Sequence, residues 1–294
     1  MRRVTPVRFH GVENFIQRVN IMFESTSIKK IVGTSLALNA AVVCSQAGAQ
    51  EKTAADTLWG DETQVTAGLA LHTAPRYMGA NGSIGHVLPS VTVQRGIFFA
   101  DSLKGVGVQH QFDSGFSASL SLGYDFGRAD GDSKYRDGSD RLKGMGEVGS
   151  ATVVDINLAQ QILPWLAITA DAELRTGGYK RGNRYQLGLL STLYHSDADT
   201  FTFGLNAHAG QARYNQTYFG VTGLQSDNSG FDRFKADQGI YAYSGELSWM
   251  HRFDSHWSTL ASVNVMHYTD QVRHSPILRQ DTPVTSTVGV QYMF

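Results

Sequence analysis

The 294-residue chain carries 25 Lys and Arg against 26 Asp and Glu, is 41% hydrophobic and only 17% charged, and holds 31 Gly but 6 Pro. A mean hydropathy of −0.22, with no apolar run of about 20 residues, excludes helical membrane spans. A single cysteine excludes disulfide scaffolds and Cys-based zinc sites, and the near-neutral charge gives no support for a nucleic-acid partner.

The first segment reads as an export signal. Ile28-Lys29-Lys30 form a basic region, an apolar stretch runs from Ile31 to Cys44, and Ala47-Gly48-Ala49 has the small-x-small form that signal peptidase reads. Cleavage is expected after Ala49, leaving Gln50 as the mature N-terminus. The apolar stretch is too short for a membrane anchor, and Val43 before Cys44 does not suit a lipoprotein site. Residues 1–21 hold Glu13 and several Arg ahead of any apolar core, which leaves Met22 as an alternative start of translation to Met1. Removing residues 1–49 takes away six basic and two acidic side chains, leaving 19 against 24 and a net charge of −5. Residues 50–63 then form a short periplasmic segment, and residues 64–294 the folded domain.

From there the sequence alternates. Phe116, Ala118, Leu120, Leu122, Tyr124 and Phe126 share one parity, and Ser117, Ser119, Ser121, Gly123 and Asp125 the other. Successive strand side chains point to opposite faces, so one face is apolar and one polar. The pattern recurs at Val148–Leu158, Leu166–Leu174, Tyr185–Leu193 and Phe201–Ala209. A sandwich with its apolar face inward also alternates. Lengths near ten residues, aromatics at segment ends (Tyr185, Tyr194, Tyr241, Tyr243, Trp249 and Trp257) and alternating short and long connections favour a membrane barrel.

About twelve strands are expected, with 10–14 as the range, starting near Gln64, Val87, Ile97, Gly105, Phe116, Met145, Leu166, Asn183, Asp199, Ala236, Trp257 and Val284. Tight links fall at 95–96, 113–115, 163–165, 197–198 and 254–256, where Asp, Ser, Gly and Pro suit turns. Longer polar stretches cover 73–86, 127–143, 177–182, 212–235 and 270–283; Ser102–Lys104 breaks the rule. The predicted fold is therefore a single all-β, up-and-down antiparallel barrel in the outer membrane of a Gram-negative bacterium, with short periplasmic turns and long outer loops. The last strand ends on Val290, Tyr292 and Phe294 in one parity, the form of a C-terminal signal for the barrel-assembly machinery.

Several stretches together resemble the MipA/OmpV family of outer-membrane proteins: Ala74-Pro-Arg-Tyr77-Met-Gly79, Leu88-Pro89-Ser90, Gly96-Ile-Phe98-Phe99-Ala100, Gly105-Val-Gly107, Tyr124-Asp-Phe-Gly127-Arg128, Leu142-Lys-Gly144, Tyr214–Val221, Ser275-Pro276-Ile277 and Gly289–Phe294. Met78 and Ala80 flank Gly79 where an acidic residue and Ser are commoner. The resemblance implies a non-enzymatic scaffold docking a murein hydrolase or synthase (a lytic transglycosylase or penicillin-binding protein), or a protein of osmotic response or adhesion. It implies no catalytic residues. Other expected partners are outer-membrane lipids and lipopolysaccharide, whose phosphates Arg128, Lys143, Lys180 and Arg181 are placed to meet at the outer rim.

No catalytic, cofactor or metal site is expected. His256-Trp257-Ser258 has the His-x-Ser form of outer-membrane lipases but lacks a placed carboxylate, and Asp270 with His274 is a weak echo of a rim protease pair. Asp130, Asp132, Asp137 and Asp140 do not have EF-hand spacing, and nearby Arg and Lys dilute their charge. The inward Asp125, Asp171, Glu173, Arg175, Arg184 and Glu246 either line a water channel or pair off and plug the lumen.

Overall fold

The computed structural model describes residues 58–134 and 136–294. The expected signal peptide, the Ala49–Gln50 cleavage site and the choice between Met1 and Met22 lie outside the described residues.

Twelve strands close into one antiparallel ring. They are β1 (Thr63–Pro75), β2 (Ser83–Arg95), β3 (Phe98–Asp101), β4 (Gly105–Gln111), β5 (Phe116–Asp125), β8 (Ala151–Leu163), β9 (Leu166–Gly178), β10 (Arg184–His195), β11 (Asp199–Gly210), β12 (Gly239–Arg252), β13 (Trp257–Tyr268) and β14 (Val284–Met293). Each pairs with its sequence neighbours, and β14 returns to β1 with Leu69 opposite Val290 and Leu71 opposite Val288. Closure leaves no edge whose backbone groups would face lipid unpaired. Two short strands, β6 (Arg128–Ala129) and β7 (Asp137–Gly138), form a separate parallel pair in the β5–β8 connection.

The alternation read from the sequence is the inside–outside pattern of this ring. Leu71, Leu187, Val106 and Val288 are 64%, 60%, 57% and 57% exposed on the outer face, whereas Thr66, His72, Ser90, Ser121, Thr169, Gln186, Ser262 and Gln291 are buried on the inner one. An apolar exterior around a polar interior is the reverse of a soluble barrel and belongs in lipid.

Strand starts fall close to expectation, with informative exceptions. Residues 145–150 are not in β8, which begins at Ala151. Val148 instead bridges to Arg128 and is buried, so its parity with Val154 does not put it on the outer face. Likewise β12 begins at Gly239, because residues 212–238 fold into a separate structure, and β2 begins at Ser83, four residues early. Connections at one end are short, about residues 96–97, 112–115, 164–165, 196–198 and 253–256, and β1 enters and β14 leaves at this end. Trp59, Phe98, Trp165, Tyr194, Phe201, Trp249, Phe253, Trp257, Tyr292 and Phe294 ring it, several in contact: Trp59 stacks on Phe98 at 4.8 Å and Trp257 meets Tyr292 edge-on at 4.9 Å. Such amphipathic rings suit a membrane interface.

Candidate functional site

The candidate site is the other end, where the long connections fold into the barrel mouth. The β11–β12 connection forms helices α1 (Ala212–Phe219) and α2 (Gly223–Ser229), and the β13–β14 connection a short helix α3 (Asp270–Arg273). Thr222 caps α2 in a reciprocal capping box with Gln225, and Gly230 ends it in the left-handed conformation. Helix α1 has no side-chain cap and is held by burial instead: Tyr214, Asn215, Tyr218 and Phe219 are all buried. Apolar residues three to four apart on one face explain the helix and its docking side.

Two hydrophobic clusters result. One joins Tyr214, Tyr218 and Phe219 to Tyr241, Ala242 and Tyr268 of the strands and to Met78, Val148, Val272 and Leu278 of other loops. The second collects Tyr77, Ala80, Leu142, Met145, Val221 and Ile277. Tyr77 donates its hydroxyl to the Ile277 carbonyl at 2.9 Å, and Ser275 donates to the Phe219 carbonyl at 2.5 Å. Gly79 is required where it stands: its φ is +86°, and a Cβ there would lie 2.7 Å from Leu278 Cγ. Gly127, at φ +70°, would set a Cβ 2.0 Å from the Val148 carbonyl oxygen. Five of the stretches that carry the family resemblance, those around Tyr77, Gly127, Leu142, Tyr214–Val221 and Ile277, meet in or beside the cap.

Beneath the cap lies an ionic network. Arg181, from the β9–β10 connection, is fully buried and pairs with both Asp125 of β5 and Glu173 of β9. Arg184 of β10 takes the other Glu173 oxygen at 2.7 Å. The Tyr218 hydroxyl donates to Asp125 at 3.1 Å, and the Arg181 guanidinium lies over the Tyr214 ring, 5.6 Å from its centroid. Burial works against the charge on Arg181, but Glu173 and Asp125 outweigh it and raise its pKa; burial, then Asp125, holds the Tyr218 hydroxyl well above its ordinary range. Two cations and two carboxylates thus compensate one another in a desolvated layer joining three strands to the cap.

Of the two alternatives for the inward charges, this layer takes the second: Asp125, Glu173 and Arg184 pair off. Asp171 accepts from Asn157 at 2.6 Å, and Glu246 is bonded by Ser248 at 3.0 Å and Asn264 at 3.3 Å. Arg175 reaches the Gly178 carbonyl. The expectation that Arg128 and Arg181 lie free at the rim is corrected: both are buried, because loop 211–238 covers them. Lys143 is exposed but held by Asp140 at 2.8 Å, and of the four only Lys180 is exposed with no ion pair among the described residues. In the sequence, Arg181 is one basic residue in a polar loop. The available signal was that Asp125, Glu173 and Arg184 all sit inward at the same end of their strands with unequal charge.

Other sequence candidates are engaged elsewhere. His256 Nδ1 meets Ser255 Oγ at 3.0 Å, while Ser258 is buried on the inner face. Asp270 pairs with Arg273. Asp132 and Asp140 accept each other's backbone N–H groups, and no cluster of three potential metal ligands forms among the described residues. Val290 and Phe294 lie on the outer face at the short-turn end, and the Phe294 N–H closes onto Val65 at 3.0 Å.

The family model described as "MltA-interacting protein MipA" matches residues 67–294, the whole ring from within β1 together with every loop of the cap. The chain belongs to the MipA family. Comparison with curated proteins gives no match. Among solved structures, this MipA-family barrel is similar to the KdgM porin (9% identity, 78% of this chain and 99% of that one, TM-score 0.38), the NanC porin (10%, 79% and 99%, 0.38) and the COG4313 outer membrane channel from Pseudomonas putida F1 (8%, 81% and 98%, 0.41). Family membership and the lipid-facing ring make the chain an outer-membrane β-barrel.

Proposed function

We propose that this MipA-family barrel is a closed docking scaffold for peptidoglycan-remodelling enzymes, a lytic transglycosylase or a penicillin-binding protein. The observation that carries the reading is the capped mouth. Asp125, Glu173 and Arg184 below the mouth are spent on ion pairs, and α1 with its aromatic residues occupies the space above them. A general diffusion pore needs the opposite, an open lumen with unpaired charges. The family's description as an MltA-interacting protein, with the murein hydrolase that the family resemblance implies, supports this partner class.

With an even number of strands, Thr63 and Met293 emerge at the short-turn end, which in the proposed orientation is the periplasmic one. Docking must therefore use the segment before β1 and the short turns. The decisive measurement is crosslinking in the intact envelope from the periplasmic side, followed by pull-down and mass spectrometry. A cell-wall hydrolase or synthase recovered with the full chain, and lost on deletion of residues 50–62, supports the scaffold; recovery of lipopolysaccharide and assembly factors alone sinks it. Well-resolved unitary openings of the unmodified protein in planar bilayers would favour the second reading, a small-solute channel. The polar inner wall below the cap, with Glu246, Asn206 and Gln186, is the feature that speaks for that channel.

A further inference from the structure

Two histidines meet on the inner wall toward the mouth. His72 of β1 stands directly opposite His86 of β2 in the antiparallel register. Both are buried, His72 at 1% exposure and His86 at 7%. Opposed residues of an antiparallel pair hold their Cβ atoms about 4.5–5.5 Å apart on one side of the sheet. On its other flank His72 opposes Thr287 of β14, whose hydroxyl lies 3.0 Å from His72 Nδ1.

The bonding of His72 is one-sided. Nδ1 has Thr287, whereas Nε2, across the ring, is buried and has no hydrogen-bond partner. Buried polar atoms in native structures nearly always have one. No side-chain hydrogen bond among the described residues holds His86 either. The third buried histidine of the wall, His208, differs, since its Nε2 meets Ser244 Oγ at 2.8 Å. An imidazole fixed through one nitrogen, with the other left for a ligand, is the arrangement of a metal-binding histidine. The bond at the first nitrogen sets the tautomer and the orientation of the ring.

We propose that His72 and His86 together bind a divalent transition-metal ion of the copper, nickel or zinc type. The Nδ1–H of His72 donates to Thr287, which leaves the Nε2 lone pair for the ion. His86 supplies a second nitrogen from the neighbouring strand, and lumen water fills the remaining positions. No third His, Cys, Asp or Glu joins the pair in a cluster among the described residues. Neutral imidazoles without a carboxylate suit these ions rather than calcium or magnesium, which take oxygen ligands. Arg76, whose charge acts on His86, is itself paired with Asp132 at 3.6 Å. The site is independent of any periplasmic partner.

The test titrates the untagged full mature chain in nanodiscs with Cu²⁺ by calorimetry, in a buffer that does not chelate the ion. The bound ion is then read by electron paramagnetic resonance. The wild type should bind saturably, with hyperfine coupling to two imidazole nitrogens. Outer-shell partners of ligating histidines are worth about 10–100-fold in metal affinity. Thr287→Val, which removes only the bond at Nδ1, should therefore weaken binding by about tenfold, and His72→Gln or His86→Gln by about a hundredfold or more. His208→Gln, elsewhere on the wall, should change nothing. Heat-modifiable mobility checks that each variant has folded. The wild-type spectrum tests the pair whether or not the variants fold: an ion held by one imidazole or none overturns the proposal. Absence of saturable binding, or binding unchanged in either folded histidine variant, overturns it as well.

Discussion

The two ends of this barrel close by different chemistry. At the short-turn end each connection satisfies itself locally: Asp254 accepts the N–H groups of His256 and Trp257 at 2.7 and 2.8 Å, and Ser196 and Asp199 bond across three residues. Aromatic rings there face outward. At the mouth almost nothing is local. Tyr77 reaches Ile277, Tyr218 reaches Asp125, and Arg181 ties a loop to two strands. Turns of the first kind can be changed one at a time, whereas a cap of the second kind stands or fails as a unit, since residues in one network are strongly coupled.

The largest effect should come from Arg181→Ala, which leaves Glu173 and Asp125 buried with Arg184 as the only guanidinium. Breaking a buried network costs about 3–5 kcal/mol. Urea unfolding in detergent, followed by tryptophan fluorescence and electrophoretic mobility, should show a lowered midpoint or a separate early transition, and bilayers should show openings absent from the wild type. A variant as stable and as silent as the wild type would show that the network does not hold the cap. Phe219→Ala removes a fully buried ring from the cap and should cost about 3–5 kcal/mol at the top of that range's lower half, or less if the site collapses; loop 211–238 should become sensitive to added protease while the ring survives.

On the strands, Leu187→Arg puts a charge on a lipid-facing site that is 60% exposed, at a cost of about 2–4 kcal/mol near mid-bilayer. Its signature should differ from the cap variants: lower overall stability with no gain in conductance. The smallest effect belongs to Asp254. The N–H groups of Trp257 and His256 hold its carboxyl below the usual Asp range. A depressed folded-state pKa stabilises above the unfolded value and is lost as pH falls through the folded one. Asp254→Asn should therefore be slightly less stable than the wild type at neutral pH, and the two should converge in acid. A gap that widens toward low pH would refute the assignment.

Much of the ring was legible in the sequence because a period of two leaves its mark in every strand. The outward set from Leu120 to Tyr124 and the inward set from Ser117 to Ser121 follow from parity alone. The cap was hidden for the same physical reason. Its buried residues, Tyr77, Tyr214, Leu142 and Ile277, come from four connections that each look polar, and no local period announces that they meet. Burial of Arg128 and Arg181 was equally hidden, since a loop arginine reads as a rim cation until the covering chain is placed. Parity misled only at Val148, where a loop residue continued the rhythm of the strand after it.

The cap also has a consequence for the order of folding. Its pieces come from loops as far apart as Tyr77 and Ile277, separated by 200 residues, and they converge only when β14 has met β1. Contacts of such long sequence separation form late, because chain closure must come first. Cap formation thus follows sealing of the ring, so protease resistance of loop 211–238 should appear after the last strand has docked and serve as a timestamp for completed assembly.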